Sequence, residues 1–185
     1  MGMLLSFAPF IAFALLDRML GVLPALGVAT ALAVVFLLRD LFSKNRTVKL
    51  LEIGTAALFG GLALYAVVTQ TEWSLLAVRL RVDAGLFLVV LASIVVRRPF
   101  TLQYAKEQTS PEVWMQPAFL KVNDVITAAW AVAFAFMVTA DIAMLYVPSV
   151  PTWLSIAVTV TAILGAIKFT RWYPGYVRAH ASVHH

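Results

Sequence analysis

There is no cysteine among the 185 residues of this chain. Disulfides, thiolate metal sites, iron–sulfur clusters and thiol nucleophiles are therefore excluded together. Histidine is nearly as scarce: His180, His184 and His185 are the whole complement, and all fall within the last six residues. Haem, copper or zinc centres inside a membrane, and Ser-His-Asp sites, normally draw on imidazole within the fold. Redox and hydrolytic enzymes are disfavoured accordingly, and neither a cofactor nor a metal is expected. The His184-His185 pair reads as a tag remnant or a plain disordered end, with metal binding as the minor alternative. Charged residues are also few, at 12% of the chain, against 62% hydrophobic and a mean hydropathy of +0.92. That balance lies well outside the soluble range. A nucleic-acid surface would need basic residues interleaved with exposed aromatics on a soluble face; none is present, so the net charge of +5 needs no such partner.

What is present is an alternation of cationic gaps between long apolar runs. Arg39, Lys44, Arg46 and Lys49 occupy one gap, and Arg97, Arg98, Lys106 and Lys121 a second. Lys168, Arg171 and Arg178 follow the last run, whereas the intervening gaps hold only Arg18, Arg79 and Arg81. Short loops rich in Lys and Arg stay on the cytoplasmic side, so the pattern predicts an all-α, polytopic membrane bundle forming a single domain over residues 1–185, with its C-terminus cytoplasmic. Anionic lipid headgroups are the natural partners of that charge.

A spanning helix needs roughly 20 mainly apolar residues. The predicted runs are Met3–Leu16, Met19–Leu38, Leu50–Val68, Trp73–Val96, Val122–Val147, stopped by Pro148 and Pro151, and Trp153–Ile167. Six spans place both termini in the cytoplasm; if the short first run is re-entrant, five cross. Met3–Leu16 lacks a basic leader and a small-residue cleavage site, so it reads as a retained helix. Small residues recur at Gly21, Ala25, Ala29 and Ala33, at Ala56 with Gly60, at Ala57 with Gly61, and at Ala162 with Ala166. These stripes predict close helix–helix contact, with a substrate groove lined by small residues as the alternative; separately, a homo-oligomer is compatible with the sequence. Trp73, Trp114, Trp153 and Trp172 fall at predicted interfaces, while Trp130 reads as core. In the 99–121 loop, Ser110-Pro111-Glu112 has the form of a helix start, predicting a short interfacial helix from about Pro111. Tyr104, Trp114 and Phe119 in this loop, with Asn123 just after it, are candidates for a lipid or partner interface.

Ionisable groups inside apolar helices are costly and mark candidate sites. Arg79, Arg81 and Asp83 lie in the first half of the fourth run, and Asp141 near the outer end of the fifth. Arg79 and Asp83 are four residues apart and can pair along one face; Asp141 is the candidate partner of Arg81. The structural reading is a set of salt bridges tying helix ends together. The functional reading is a site for an anionic headgroup or small anion, since two guanidinium groups offer donor forks suited to phosphate. Glu52 and Asn123-Asp124 are expected to cap helix starts, with proton or cation entry as the alternative. No metal-binding acidic motif and no nucleophile–base pair is visible, so no enzyme is expected.

The Phe7-x-Pro9 segment with Phe13, the run Phe59-Gly60-Gly61-Leu62-Ala63-Leu64, Trp73, the Arg97-Arg98-Pro99 boundary, Pro111-x-Val113-Trp114, and Asn123 followed by Trp130-Ala131 form a series over most of the chain. This series resembles the intracellular septation protein A family of small bacterial inner-membrane proteins. The resemblance implies a role in septation and cell-envelope maintenance, with cell-division or elongation proteins as partners, and implies no known reaction. The alternative expectation, drawn from the charges, is a small carrier or channel for an anionic lipid or a proton-coupled solute.

Overall fold

The computed structural model describes residues 2–43, 47–147 and 149–181. Lys44, Arg46, Pro148, His184 and His185 lie outside them. Among the described residues all regular structure is helical: α1 (Gly2–Leu5), α2 (Ala8–Leu20), α3 (Val22–Phe42), α4 (Leu50–Thr69), α5 (Leu75–Val95), α6 (Phe100–Lys106), a 3-10 turn (Pro111–Val113), α7 (Pro117–Tyr146) and α8 (Thr152–Ala181). Among the described residues, four helical stretches are long and apolar enough to cross a membrane: Val22–Phe42, Leu50–Thr69, Pro117–Tyr146 and Trp153–His180. The protein is therefore read as a helical membrane protein. Two predicted spans differ in kind. α2 has 13 residues, and α5, though 21 residues long, carries Arg79, Arg81 and Asp83.

The chain divides within α5 into two compact units, Met1–Val89 and Val90–His185. In the first unit, Gly21 (φ +86) separates α2 from α3, a left-handed conformation that glycine adopts without a Cβ penalty. Gly21 is thus a turn residue rather than the first member of the small-residue stripe. The rest of that stripe behaves as expected, with Ala25, Ala29 and Ala33 all buried. Phe59 on α4 is fully buried and meets Phe10 (5.0 Å) and Phe13 (5.8 Å) of α2 in tilted ring contacts. Phe13 and Phe59, with Phe10 packed against them, thus form one core with Leu26 and Val82. α4 and α5 are in close contact where Gly54 faces Val89 and Gly85 faces Leu58; a Cβ at Gly54 would lie 2.6 Å from both Val89 methyls. Of the paired positions on α4, Ala57 and Gly61 are exposed, and a Cβ at Gly60 would make only ordinary contact with Thr30 at 3.7 Å.

In the second unit, α5 ends in a left-handed Arg97 (φ 52). The Arg98 amide returns to the Ser93 carbonyl at 2.9 Å and the Arg97 amide to Ile94 at 3.0 Å, the paired bonds of a helix end that usually places glycine where Arg97 stands. Ser93, fully buried, then accepts the Phe100 amide and so joins this end to α6. The helix in the 99–121 loop accordingly begins at Phe100 and not near Pro111. At Pro111 only a 3-10 turn forms, and the Ser110 hydroxyl meets the Glu112 carboxylate instead of capping. Pro117 explains the interruption: it pushes Gln116 into an extended conformation (ψ 129) and restarts the chain as α7. Asn123 and Asp124 are consequently interior to α7 rather than at its start.

α6 is held to α7 by hydroxyl contacts. Thr101 Oγ1 donates to the Asn123 carbonyl (3.0 Å) and lies 2.7 Å from Thr127 Oγ1, with all three residues buried. Phe100, Trp130 and Phe134 form a ring cluster beside them. Trp130 is buried as expected, and its indole donates to Thr170 of α8 at 2.9 Å.

Candidate functional site

The first unit contains a charged cluster that is nearly dry. Asp40 lies in the last turn of α3, Lys49 is the residue preceding α4, and Glu52 lies in the first turn of α4. None is more than 4% exposed. The Lys49 ammonium donates to Asp40 Oδ2 and stands 3.7 Å from Glu52 Oε1. Asp40 Oδ1 accepts from Arg39 at 2.9 Å, whose side chain is 35% exposed and forms the wet rim. The Ser6 hydroxyl, from the stretch joining α1 to α2, donates to Glu52 Oε1 at 3.2 Å.

Both oxygens of Asp40 are thus engaged by cations. Glu52 differs: Oε1 receives one neutral hydroxyl, and Oε2 is buried with no hydrogen-bond partner. Thr55, one turn further along the same face and 2% exposed, also has a buried hydroxyl without a partner. Buried polar groups are nearly always satisfied, and an ionised carboxylate in a poorly polar medium is especially costly when incompletely paired. Glu52 Oε2 and Thr55 Oγ1 therefore mark a place able to receive a proton or a small cation. Counting Arg39 and Lys49 against Asp40 and Glu52, the cluster is formally neutral when all four are ionised.

The charges expected from the sequence lie elsewhere. Arg81 is exposed on α5; its guanidinium sits 4.7 Å over the Trp73 ring and donates to the Ala77 carbonyl. Trp73 in turn stacks on Tyr65 at 5.3 Å, so Arg81 closes a cation–aromatic stack of a kind that contributes about 0.5–1 kcal/mol when exposed. Arg79 is half-buried and Asp83 buried in the same unit. Asp141 belongs to the second unit, where it is buried and accepts from Ser155 of α8 at 3.4 Å. The interface candidates divide too. Tyr104 and Asn123 are buried, the latter donating to Phe119 O, so neither presents a surface. Trp114 and Phe119 are half-buried; the Trp114 indole donates to Thr109 O and its ring carries Lys106 at 5.5 Å. Met115 beside it is 81% exposed.

The sequence alone offers Glu52 as a helix-start acid, with proton or cation entry as the alternative, and does not single out its grouping with Asp40 and Lys49. The available signal was Glu52, Thr55 and Phe59 at helical spacing on one face, with two polar residues on the face that buries the phenylalanine. No protein-family model, curated protein or solved structure matches the chain.

Proposed function

We propose that this is a proton-coupled membrane carrier in which Glu52 is the proton-accepting group. The observation that carries the reading is the pair of buried, partnerless oxygens on Glu52 and Thr55 beside an ion pair already complete between Lys49 and Asp40. With Glu52 ionised, Lys49 balances it across 3.7 Å. A proton on Oε2 neutralises Glu52 and leaves the four-group cluster with one excess positive charge in a dry setting. Such an imbalance favours rearrangement of the helix ends that enclose it. Arg79 and Arg81 on α5 give the same unit a cationic feature suited to an anionic solute.

The membrane placement in this reading is a bacterial inner membrane with cytoplasmic termini. α3 and α4 are long enough to span, and the Ser6–Glu52 bond brings the start of α2 to the end of α4 that lies next to the cationic 39–49 gap. In this reading the first apolar run, α1 with the 13-residue α2, is counted as a crossing that ends at the Gly21 turn. With α5 this makes six crossings, in keeping with the distribution of Lys and Arg.

Reconstituted into liposomes enclosing a pH-sensitive dye, the full chain should acidify the lumen when inorganic phosphate is supplied outside as the probe anion, and Glu52→Gln should abolish that signal while preserving the elution profile in detergent. Proton entry equal in wild type and Glu52→Gln defeats the proposal.

A second reading, a septation or envelope role through protein contacts, is favoured by one observation: Met115 is almost fully exposed next to a half-buried Trp114 on a short loop. Trp114→Ala combined with Met115→Ser should lower recovery of division or elongation proteins in a membrane pull-down without changing expression. Undiminished recovery removes this reading.

A further inference from the structure

The last turns of α8 form a two-part surface that the buried cluster does not use. The helical stretch Trp153–His180 has 28 residues, whereas roughly 20 suffice to cross the hydrocarbon. Its final turns therefore extend to headgroup depth. Thr170, Pro174 and Val177 share one side of the helix at i, i+4 and i+7, and Thr170 faces α7 because it accepts the Trp130 indole. On the remaining surface, Arg171 and Arg178 lie seven residues apart on one line, with Lys168 next to it, and all three are exposed. Alongside runs a ladder of rings: Phe169 stacks on Tyr173 at 5.0 Å, Trp172 meets Tyr176 at 4.8 Å, and Tyr176 meets His180 at 4.1 Å. Trp172 and Tyr176 are about half exposed. The chain contains no acidic residue after Asp141, so this surface carries charge of one sign only.

We propose that this end of α8 is a binding face for anionic phospholipid. Arg171 and Arg178 take the headgroup phosphate, for which guanidinium forks are suited, and Trp172 and Tyr176 rest at the boundary between headgroup and acyl chain. Arg178 already anchors its Nε on the Pro174 carbonyl at 3.2 Å, and the residue is exposed. The ring ladder stiffens the same turns despite the proline within them. An acidic protein would satisfy the arginines but not require rings at interface depth, and free phosphate would leave the rings unused.

The test is native mass spectrometry of the full chain in neutral detergent, offered equal amounts of phosphatidylglycerol and phosphatidylcholine with identical acyl chains. Phosphatidylglycerol adducts should predominate by tenfold or more. At ~1 kcal/mol per basic residue near the surface, or roughly fivefold each, Arg171→Gln with Arg178→Gln should bring the two lipids close to parity. Arg171→Lys with Arg178→Lys should retain most of the preference, and Trp172→Ala should weaken both lipids alike. The proposal is overturned by equal binding in the wild type, by a preference that survives the double glutamine variant, or by displacement of the lipid with an equal concentration of inorganic phosphate.

Discussion

Replacing Lys49 with methionine is expected to destabilise the first unit by about 3–5 kcal/mol, the range found when one partner of a buried ion pair is removed. Methionine keeps the volume of the aliphatic stem, so the loss is electrostatic and not a cavity. Arg39 still reaches Asp40 Oδ1, and the uncompensated charge falls mainly on Glu52, whose other partner is the neutral Ser6 hydroxyl. The expected order follows: Lys49→Met is worst, and Asp40→Asn is milder because Lys49 retains Glu52 at 3.7 Å. The triple variant Lys49→Met, Asp40→Asn, Glu52→Gln recovers much of the loss, since the three buried positions then carry no charge to desolvate and Arg39, with its side chain 35% exposed, keeps its solvation. Unfolding by SDS titration in mixed micelles reads this directly, with the double-mutant couplings taken from the same titrations. A loss under about 1 kcal/mol for Lys49→Met would mean that water screens the cluster as it screens a surface pair; the dry site, and the carrier built on it, would then fall.

The helical membrane character was legible because it rests on local composition: long apolar runs cannot be stably solvated, and in lipid they satisfy their backbone only as helices. The Ala25, Ala29 and Ala33 stripe was legible for the same kind of reason, since spacing alone puts those residues on one face. Boundaries were less so. The break at Arg97 is made by a non-glycine residue in a left-handed conformation, so no glycine marked it, and α6 went unforeseen. The helix-start pattern at Ser110 was outweighed by Pro117, whose effect on Gln116 acts against any helix continuing through it. α8 likewise runs on through Pro174 to Ala181, past the predicted end at Ile167, held by ring contacts that no hydropathy pattern encodes. The charged cluster was hidden for a different reason. Asp40, Lys49 and Glu52 each sit at the end of a span, where a charge is ordinarily solvated or complements the helix dipole. Only the return of the chain between α3 and α4, with Ser6 brought alongside, makes them buried neighbours.

Phe59→Ala tests the packing that holds the site's helices, and it should cost about 2–3 kcal/mol. In a soluble core the same truncation costs about 3–5 kcal/mol, part of it the transfer of apolar surface to water. In lipid that transfer term nearly vanishes, because acyl chains are as apolar as the side chain, and the remainder is lost dispersion contact. Phe59 is the central ring of the Phe10–Phe59–Phe13 group, so its removal opens a void between α2 and α4 on the face that also bears Glu52 and Thr55. Stability and the site should therefore fail together: weaker resistance to SDS, and proton entry into liposomes that no longer depends on Glu52. Phe59→Leu, which fills most of the space, should recover both. Val67, on the same helix but 57% exposed, supplies the control, since Val67→Ala removes a chain that touches lipid and should change neither. If Phe59→Ala and Val67→Ala cost the same, α2 does not pack on α4 through this ring, and the Ser6–Glu52 contact would lose the scaffold that positions it.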